Sequence, residues 1–543
     1  MNYEAVCFLR INKKENRMRL QKNIFITTFI IFSIVGLINS ISYGKGKNIK
    51  ANLTSVDTTS SGFIGDGITD NTKAIQAALD SVSAAGGGVI RFSNGKFVTG
   101  PLTIQSNDTL EIDNSAGLLG TTRMTAYYKP GADTTKPTGS YQPLLTANHA
   151  NNIAIIGRGY IDGQGQEWWT AYENGTISAR PRMFQPNHCN NVLLRGITLK
   201  NSPQFHFIPE WCTNVIVDSV TILAPSSSPN TDGIDPATCH NVYITNCYID
   251  NGDDNIAVKS GNYDSSDPNA GCSRIYISNC TFMHGHGVSI GSETSGGVDS
   301  MYVDSCTFNG TDNGLRIKSY RGNGGNVRDI IYSNITMTNV KNAIYFTEYY
   351  PTIPPSSDPA QQVTATTPHF HDITIENMTA TGSPYAGVVI GVPEMPLTNI
   401  HFQNVSIQAQ SGLQVRNATI DTANVTITAS NGRGSYLLQV NGYVTGATAV
   451  ENNITPSGFS LLQNYPNPFN PSTKIKFSLA KESHVKLNVY NALGQRVETL
   501  IDQKMQAGEH EYNFNASGLS SGVYFYKINA DNYVQVRKMV LLK

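Results

Sequence analysis

The sequence predicts an all-β chain: a right-handed parallel β-helix with an N-terminal capping helix, plus a small C-terminal antiparallel β-sandwich. Three observations carry this. Charged residues are only 15% of the 543 and hydrophobic ones 39%, with 48 Gly and 26 Tyr, a usage that suits strands and turns and disfavours a helical bundle, a coiled coil or a disordered chain. One short pattern, a polar residue followed by alternating apolar positions and a small-polar turn, recurs between residues 150 and 430. From Phe459 onward that pattern gives way to alternating strands of different composition. The length is about three to four times that of one compact domain, which an elongated repeat accommodates.

The elements follow in chain order. Residues 1–44 read as a secretory leader: Arg17, Arg19 and Lys22 precede an apolar run from Ile24 to Ile38, and small or polar residues follow up to Gly44. A run of about fifteen residues suits a signal core and is short for a membrane span, so the mature chain is expected to be secreted without one. A start at Met18 would give a more ordinary leader. Residues 70–85 place Ala74, Ile75, Ala78, Leu79 and Val82 on one helical face, with Asp70 or Asn71 as N-cap and Gly86-Gly87-Gly88 ending the helix. This is the expected cap of a β-helical domain spanning residues 45–443.

In the repeat, the first apolar residue of each segment is Ile153, Val192, Val215, Val242, Ile275, Met301, Ile330, Ile373 or Ile400, at spacings of 39, 23, 27, 33, 26, 29, 43 and 27. Short strands with variable loops and a period in the twenties fit coils that bury their inward side chains on one another. Cys247, Cys280 and Cys306 share one repeat position and read as stacked small hydrophobes. Seven cysteines lie beyond Cys7, an odd number without a CxxC zinc pattern, so neither a full disulfide framework nor a structural metal is called for. Residues 444–458 read as a linker, and residues 459–543 as the sandwich, with strands expected over 474–479, 484–490, 510–515 and 522–529.

Charge excludes one class of partner. The region 45–458 holds 23 Lys/Arg against 32 Asp/Glu, so nucleic acid is repelled on average and an anionic ligand must meet local positive charge.

Such local charge accompanies a column of acids. Asp232-Gly233-Ile234, Asp254-Asn255-Ile256, His286-Gly287-Val288, Asn313-Gly314-Leu315 and Asn342-Ala343-Ile344 take the same place in successive coils. Asp232, Asp254 and His286 therefore stack with rungs about 4.8 Å apart, Asp253 adjoins them, and Arg316 and Lys318 share one strand face a coil further on. Three carboxylates and an imidazole are thus expected on one patch of outer surface. Each residue alone is ordinary, an Asp-Gly marking a turn and a lone His a polar surface; four adjacent coils agreeing is not. One carboxyl with a raised pKa and ionised neighbours is the division of labour of glycosidic cleavage, and the Arg-x-Lys pair suits a sugar carboxylate. No twelve-residue calcium loop is present, and His, Arg and Lys interleaved with the acids weaken a cation site.

At these residues the sequence resembles the polygalacturonase family, glycoside hydrolase family 28. The motifs are Asn230-Thr231-Asp232, Gly252-Asp253-Asp254, Gly285-His286-Gly287 and Arg316-Ile317-Lys318, with Gly65-Asp66-Gly67 and Asp162-Gly163-Gln164-Gly165 extending the likeness over about residues 55–430. The resemblance implies inverting hydrolysis of α-1,4-galacturonosyl links in pectin without a cofactor or metal. It makes Asp253 the general acid, has Asp232 and Asp254 activate water, and has His286 hold the hydrogen bonding of the acid. Arg316 and Lys318 would then bind a galacturonate carboxylate beside Asn230. The stretch Asn464-Tyr465-Pro466-Asn467-Pro468-Phe469-Asn470-Pro471 and the closing strands resemble the type A sorting domain of the type IX secretion system, which implies that machinery as a partner and a secreted or cell-surface location. A monomer acting on pectic polysaccharide is expected. The alternatives are a pectate lyase-like enzyme and a non-catalytic glycan-binding β-helix. Long coils at Asn262–Gly271 and Pro351–Pro368 raise the expectation of end-on, exo-acting cleavage.

Overall fold

The computed structural model describes residues 54–57, 62–129, 131, 141–261, 270–432, 434–446, 459–505 and 508–543. The expected leader and nearly all of the expected linker and of the long coil 262–271 lie outside the described residues.

From residue 88 to residue 445 the chain winds through parallel strands whose registers pair each coil with the next. Ile153, Val192, Val215, Val242, Ile275, Met301, Ile330, Ile373 and Ile400 form one continuous inward column, and all nine are buried in a single core. The polar residue before each of them has a positive φ, between 54° and 60°, from Asn152 and Asn191 through to Asp372 and Asn399. The period follows from this. A left-handed residue bends the chain into each strand, and Asn tolerates that conformation better than other residues with a side chain. Its amide then bonds the Asn of the previous coil, as in Asn191–Asn152 at 2.8 Å and Asn241–Asn214 at 2.9 Å.

Helix α1, Thr72–Ala84, covers the first coil with Ile75, Leu79 and Val82. Its buried face is narrower than expected, since Ala74 is exposed. Asn71 occupies the N-cap position, but its amide is committed to Ile64 and Thr69, and the Asp70 carboxylate accepts the Thr72 amide instead. All seven described cysteines are buried free thiols. Cys189, Cys212, Cys239 and Cys272 form one column in which each sulfur after the first accepts the backbone N–H of the cysteine before it.

Residues 460–541 build two antiparallel sheets around a separate core that includes Phe477, Val489, Tyr526 and Met539. The four expected strands are present as Ser472–Leu479, Ser483–Asn491, Gly508–Asn515 and Gly522–Ala530. Two more, Arg496–Met505 and Tyr533–Leu541, complete the four-stranded sheet. Arg496–Met505 buries only Leu500 and Ile501, so its sequence shows little apolar alternation.

Candidate active site

Four consecutive strands form the floor of the site: β1 (Ile256–Ser260), β2 (Val288–Thr294), β3 (Asn313–Lys318) and β4 (Asn342–Thr347). Ile256 pairs with Val288, Val288 with Leu315 and Leu315 with Ile344, while Ile234 bridges Ile256 one coil earlier. This is the register expected from the sequence. Two residues before these inward positions stand Asp232, Asp254 and His286. One residue after them, facing outward by strand alternation, stand Asp235, Ala257, Ser289, Arg316 and Tyr345.

The turns that aim these groups are braced by two buried asparagines. Asn251 donates to the carbonyls of Thr231 at 2.7 Å and Asp254 at 3.0 Å. Asn255 donates to Asn251 and to the His284 carbonyl, each at 2.8 Å, and accepts the Gly287 amide at 2.9 Å. Gly285 and Gly287 both have positive φ, and a Cβ on Gly287 would sit 2.0 Å from the Asn313 carbonyl. Only glycine on either side of His286 lets the coils approach this closely.

The acids are not all on the surface, which corrects the expected patch. Asp232 and Asp254 are buried, with side chains 4% and 1% exposed, whereas Asp253 is 20% and His286 32% exposed. His286 Nδ1 lies 3.0 Å from Asp253 Oδ1, and the Asn230 amide donates to Asp253 Oδ2 at 3.3 Å. Arg180, itself buried, donates to Asn230 Oδ1 at 2.7 Å and so fixes which end of the amide faces Asp253. Asp254 lies beneath. Its Oδ1 accepts from Ser289 at 2.7 Å and Arg316 at 2.9 Å, and its Oδ2 accepts from Lys318 at 2.7 Å. The basic pair thus has an internal partner, although the buried Arg316 Nε has none among the described residues. Tyr350 places its ring 5.1 Å from Lys318 Nζ and 5.7 Å from Arg316 Cζ.

The electrostatics divide the carboxyls. Burial pushes the Asp254 carboxyl up, but the charges of Lys318 and Arg316 outweigh it and hold the group well below the usual carboxylate range. Burial likewise opposes ionisation of Asp253, yet its hydrogen bond to His286 takes it below its ordinary value. Asp232 goes the other way, raised by burial and by repulsion from Asp235 and Asp253. Asp235 is pushed up to about 7, chiefly by burial. The raised carboxyl that the chemistry needs is therefore found, in the free protein, at the Asp232–Asp235 pair rather than at Asp253.

Asp253, Asp254 and His286 offer ligand atoms within 4.8 Å of one another. A cation there would compete with Arg316 and Lys318 for Asp254, so the donor set does not suit one.

Asp235, Lys259, Ser289, Asn251, Asn255 and Tyr350 were missing from the residues read off the sequence. Extending the aligned column by three positions, to the next outward residue, finds Asp235 and Ser289. The buried asparagines carry no such signal, because Asn is common throughout the chain.

A wall of parallel coils that sets a half-exposed carboxyl on an imidazole, above two buried carboxyls and a cationic pair, has the groups that acid–base hydrolysis requires. Residues 90–431 match the model of glycosyl hydrolases family 28, and residues 463–542 match the secretion system C-terminal sorting domain. The chain belongs to glycosyl hydrolases family 28 and is a glycoside hydrolase. It is 32% identical over 362 residues to a probable polygalacturonase of Vitis vinifera, covering 64% of this chain and 72% of the relative. It is also 32% identical over 370 residues to an endo-polygalacturonase of Pectobacterium carotovorum subsp. carotovorum, covering 64% of this chain and 87% of the relative. The solved polygalacturonase from Erwinia carotovora ssp. carotovora superposes with a TM-score of 0.58 at 30% identity, covering 66% of this chain and 95% of that one. The sorting domain marks the protein for secretion and the cell surface, and no helix among the described residues is long and apolar enough to cross a membrane.

Proposed function

We propose that the protein is an inverting polygalacturonase that hydrolyses α-1,4-galacturonosyl linkages of pectin as a monomer. The observation that carries this is the half-exposed Asp253–His286 pair beside two cations that retain spare donors. Asp253 is the general acid. In the free protein its proton is disfavoured, but a bound galacturonan chain strips water from it and adds negative charge, and both changes favour the neutral acid. Asp232 and Asp254 activate the water, and His286 holds Asp253 in place. Lys318 has three donors and Arg316 five, so each can hold Asp254 and a galacturonate carboxylate together. Asn230 lies at the sugar-facing edge of Asp253.

The test is release of reducing ends from a panel of purified pectic polymers, with proton NMR of the first products. Galacturonan cleaved with inversion supports the proposal; retention, or no release from any polymer, overturns it. Exo action gains support from the 351–368 loop, which is fixed to neighbouring coils: Arg321 pairs with Asp358 at 2.6 Å and Asn417 bonds Ser357 at 3.1 Å. Viscosity decides. An end-cutting enzyme releases small saccharides while viscosity barely falls, and early collapse with mixed oligomers shows an open groove.

A further inference from the structure

Lys259 lies outside the four motifs, on the outward face of β1. In a β-helix that face is ordinarily solvated, yet the Lys259 side chain is only 16% exposed and three acids from the two flanking coils converge on it. Its Nζ stands 3.6 Å from Asp235 Oδ2, 4.0 Å from Asp232 Oδ2 and 3.9 Å from Glu293 Oε2. Phe205 closes the remaining side, its ring centre 5.7 Å from the ammonium. Asp232 Oδ1 and both oxygens of Asp235 are buried, and no donor among the described residues reaches them within hydrogen-bonding distance. Two carboxylates in that condition would repel one another and lack solvation. One cation and one proton between them resolve the cost.

We propose that Lys259 is a positioning residue for the hydrolysis: it neutralises the carboxyls packed around Asp232 and so keeps Asp232 available as a base. This rests on the proposed water-activating role of Asp232. With Lys259 in place the pair shares one proton and one negative charge, and the ammonium weakens the hold of Asp232 on that proton; without it both carboxyls bind protons more tightly and Asp232 loses its basicity. Other charges act on the pair from its surroundings. Asp253 and Asp254 repel the Asp232 anion, and the buried Arg180 attracts it. Arg316 and Lys318 are taken up by Asp254, which leaves Lys259 as the nearest cation to Asp232 and Asp235 among the described residues. Burial works against its charge, but Asp235 and Asp232 outweigh that and hold the ammonium charged above the ordinary lysine range.

The experiment measures pH profiles of kcat/KM and kcat on polygalacturonate for the full chain. An opposite charge at this distance is worth about one to three pH units. Lys259→Met should therefore move the acidic limb up by about one unit or more and reduce kcat at pH 5 about tenfold, with KM little changed. Lys259→Arg should restore the limb. Adding Asp235→Asn to Lys259→Met should move it back toward the wild type. The exposed Glu293 offers a variant that does not threaten folding: Glu293→Gln removes a competitor for Lys259 and should lower the limb by a few tenths of a unit. A purely structural lysine would change the melting temperature and leave every limb in place. Wild-type limbs in Lys259→Met and Glu293→Gln overturn the inference, and if Lys259→Met fails to fold, Glu293→Gln decides alone. Asp232→Asn separates the two ideas. Retained turnover would sink the role of Asp232 itself, whereas lost turnover beside unmoved limbs in the other variants would sink only the role of Lys259.

Discussion

The parallel coils and the C-terminal sandwich are both β-structure, yet they use repetition differently. In the coils most rungs repeat the last: Ile or Val over Ile or Val along most of the inward column, Cys over Cys and Asn over Asn in several successive coils. Against that background the outward column Asp235, Ala257, Ser289, Arg316 and Tyr345 changes residue type at every step, and it borders the acids. The sandwich has no comparable column. Its buried polar groups are satisfied locally, as with Asn464 donating to Pro466 and Thr473, and Asn488 accepting from Thr499. In a parallel ladder a break in repetition costs stacking energy, so it persists where something other than stacking is gained. Damage to the irregular column should therefore abolish hydrolysis, and damage to the sandwich should not.

The largest expected effect is at Asp253. Asp253→Asn keeps the size and the contact with Asn230 but removes the transferable proton, so turnover should fall by about 10²–10⁴-fold with folding intact. Near-normal turnover would remove Asp253 from the reaction. Next is Lys318, which the structure gives two duties. Lys318→Met should raise KM for galacturonate oligomers roughly tenfold to a hundredfold, the worth of a charge-assisted hydrogen bond. It should also lower the melting temperature. Arg316 and Ser289 remain on Asp254, so the stability loss should be smaller than the about 3–5 kcal/mol of a fully orphaned buried charge. An unchanged KM would confine Lys318 to its structural contact.

A smaller effect lies in stability against pH. Asp235 binds its proton more tightly folded, with a pKa of about 7, than unfolded, at about 3.9. Folding is therefore favoured most by this group below about pH 4, and that contribution declines as pH rises to about 7. Asp108, pushed up to about 6 by burial, acts with the same sign. Melting temperatures should fall between pH 5 and pH 8, and Asp235→Asn should flatten that fall, by about 1 °C for each kcal/mol removed. An equally steep fall in the variant would place the proton elsewhere.

Much of this was readable from the chain because a parallel ladder writes its register into the sequence. Aligning Ile234, Ile256, Val288, Leu315 and Ile344 brings together Asp232, Asp254 and His286 without any knowledge of loops. What could not be read depends on depth. Asp253 and Asp254 are neighbours of one residue type, and the turn that leaves one half-exposed and buries the other is set by Asn251 and Asn255 from within the fold. Lys259 looks like a solvated strand residue, because its burial comes from Asp235 and Glu293 on other coils. Strand Arg496–Met505 escaped for the opposite reason: its outward face is so exposed that no apolar alternation marks it.

The smallest expected effect on hydrolysis comes from removing residues 459–543. Every group placed at the site lies between Arg180 and Tyr350, and the C-terminal sheets close around their own core, from Leu461 to Leu541. A domain with its own buried apolar cluster can fold apart from its neighbour. The truncated chain should then hydrolyse polygalacturonate at the specific activity of the full chain, while a host producing it should retain the enzyme inside the cell envelope instead of releasing it. Cell fractionation and reducing-sugar assays on both forms give the answer. Activity lost from a truncated chain that still shows the far-ultraviolet spectrum of the β-helix would mean that the sandwich helps to hold the polymer, and the division drawn between the two regions would fail.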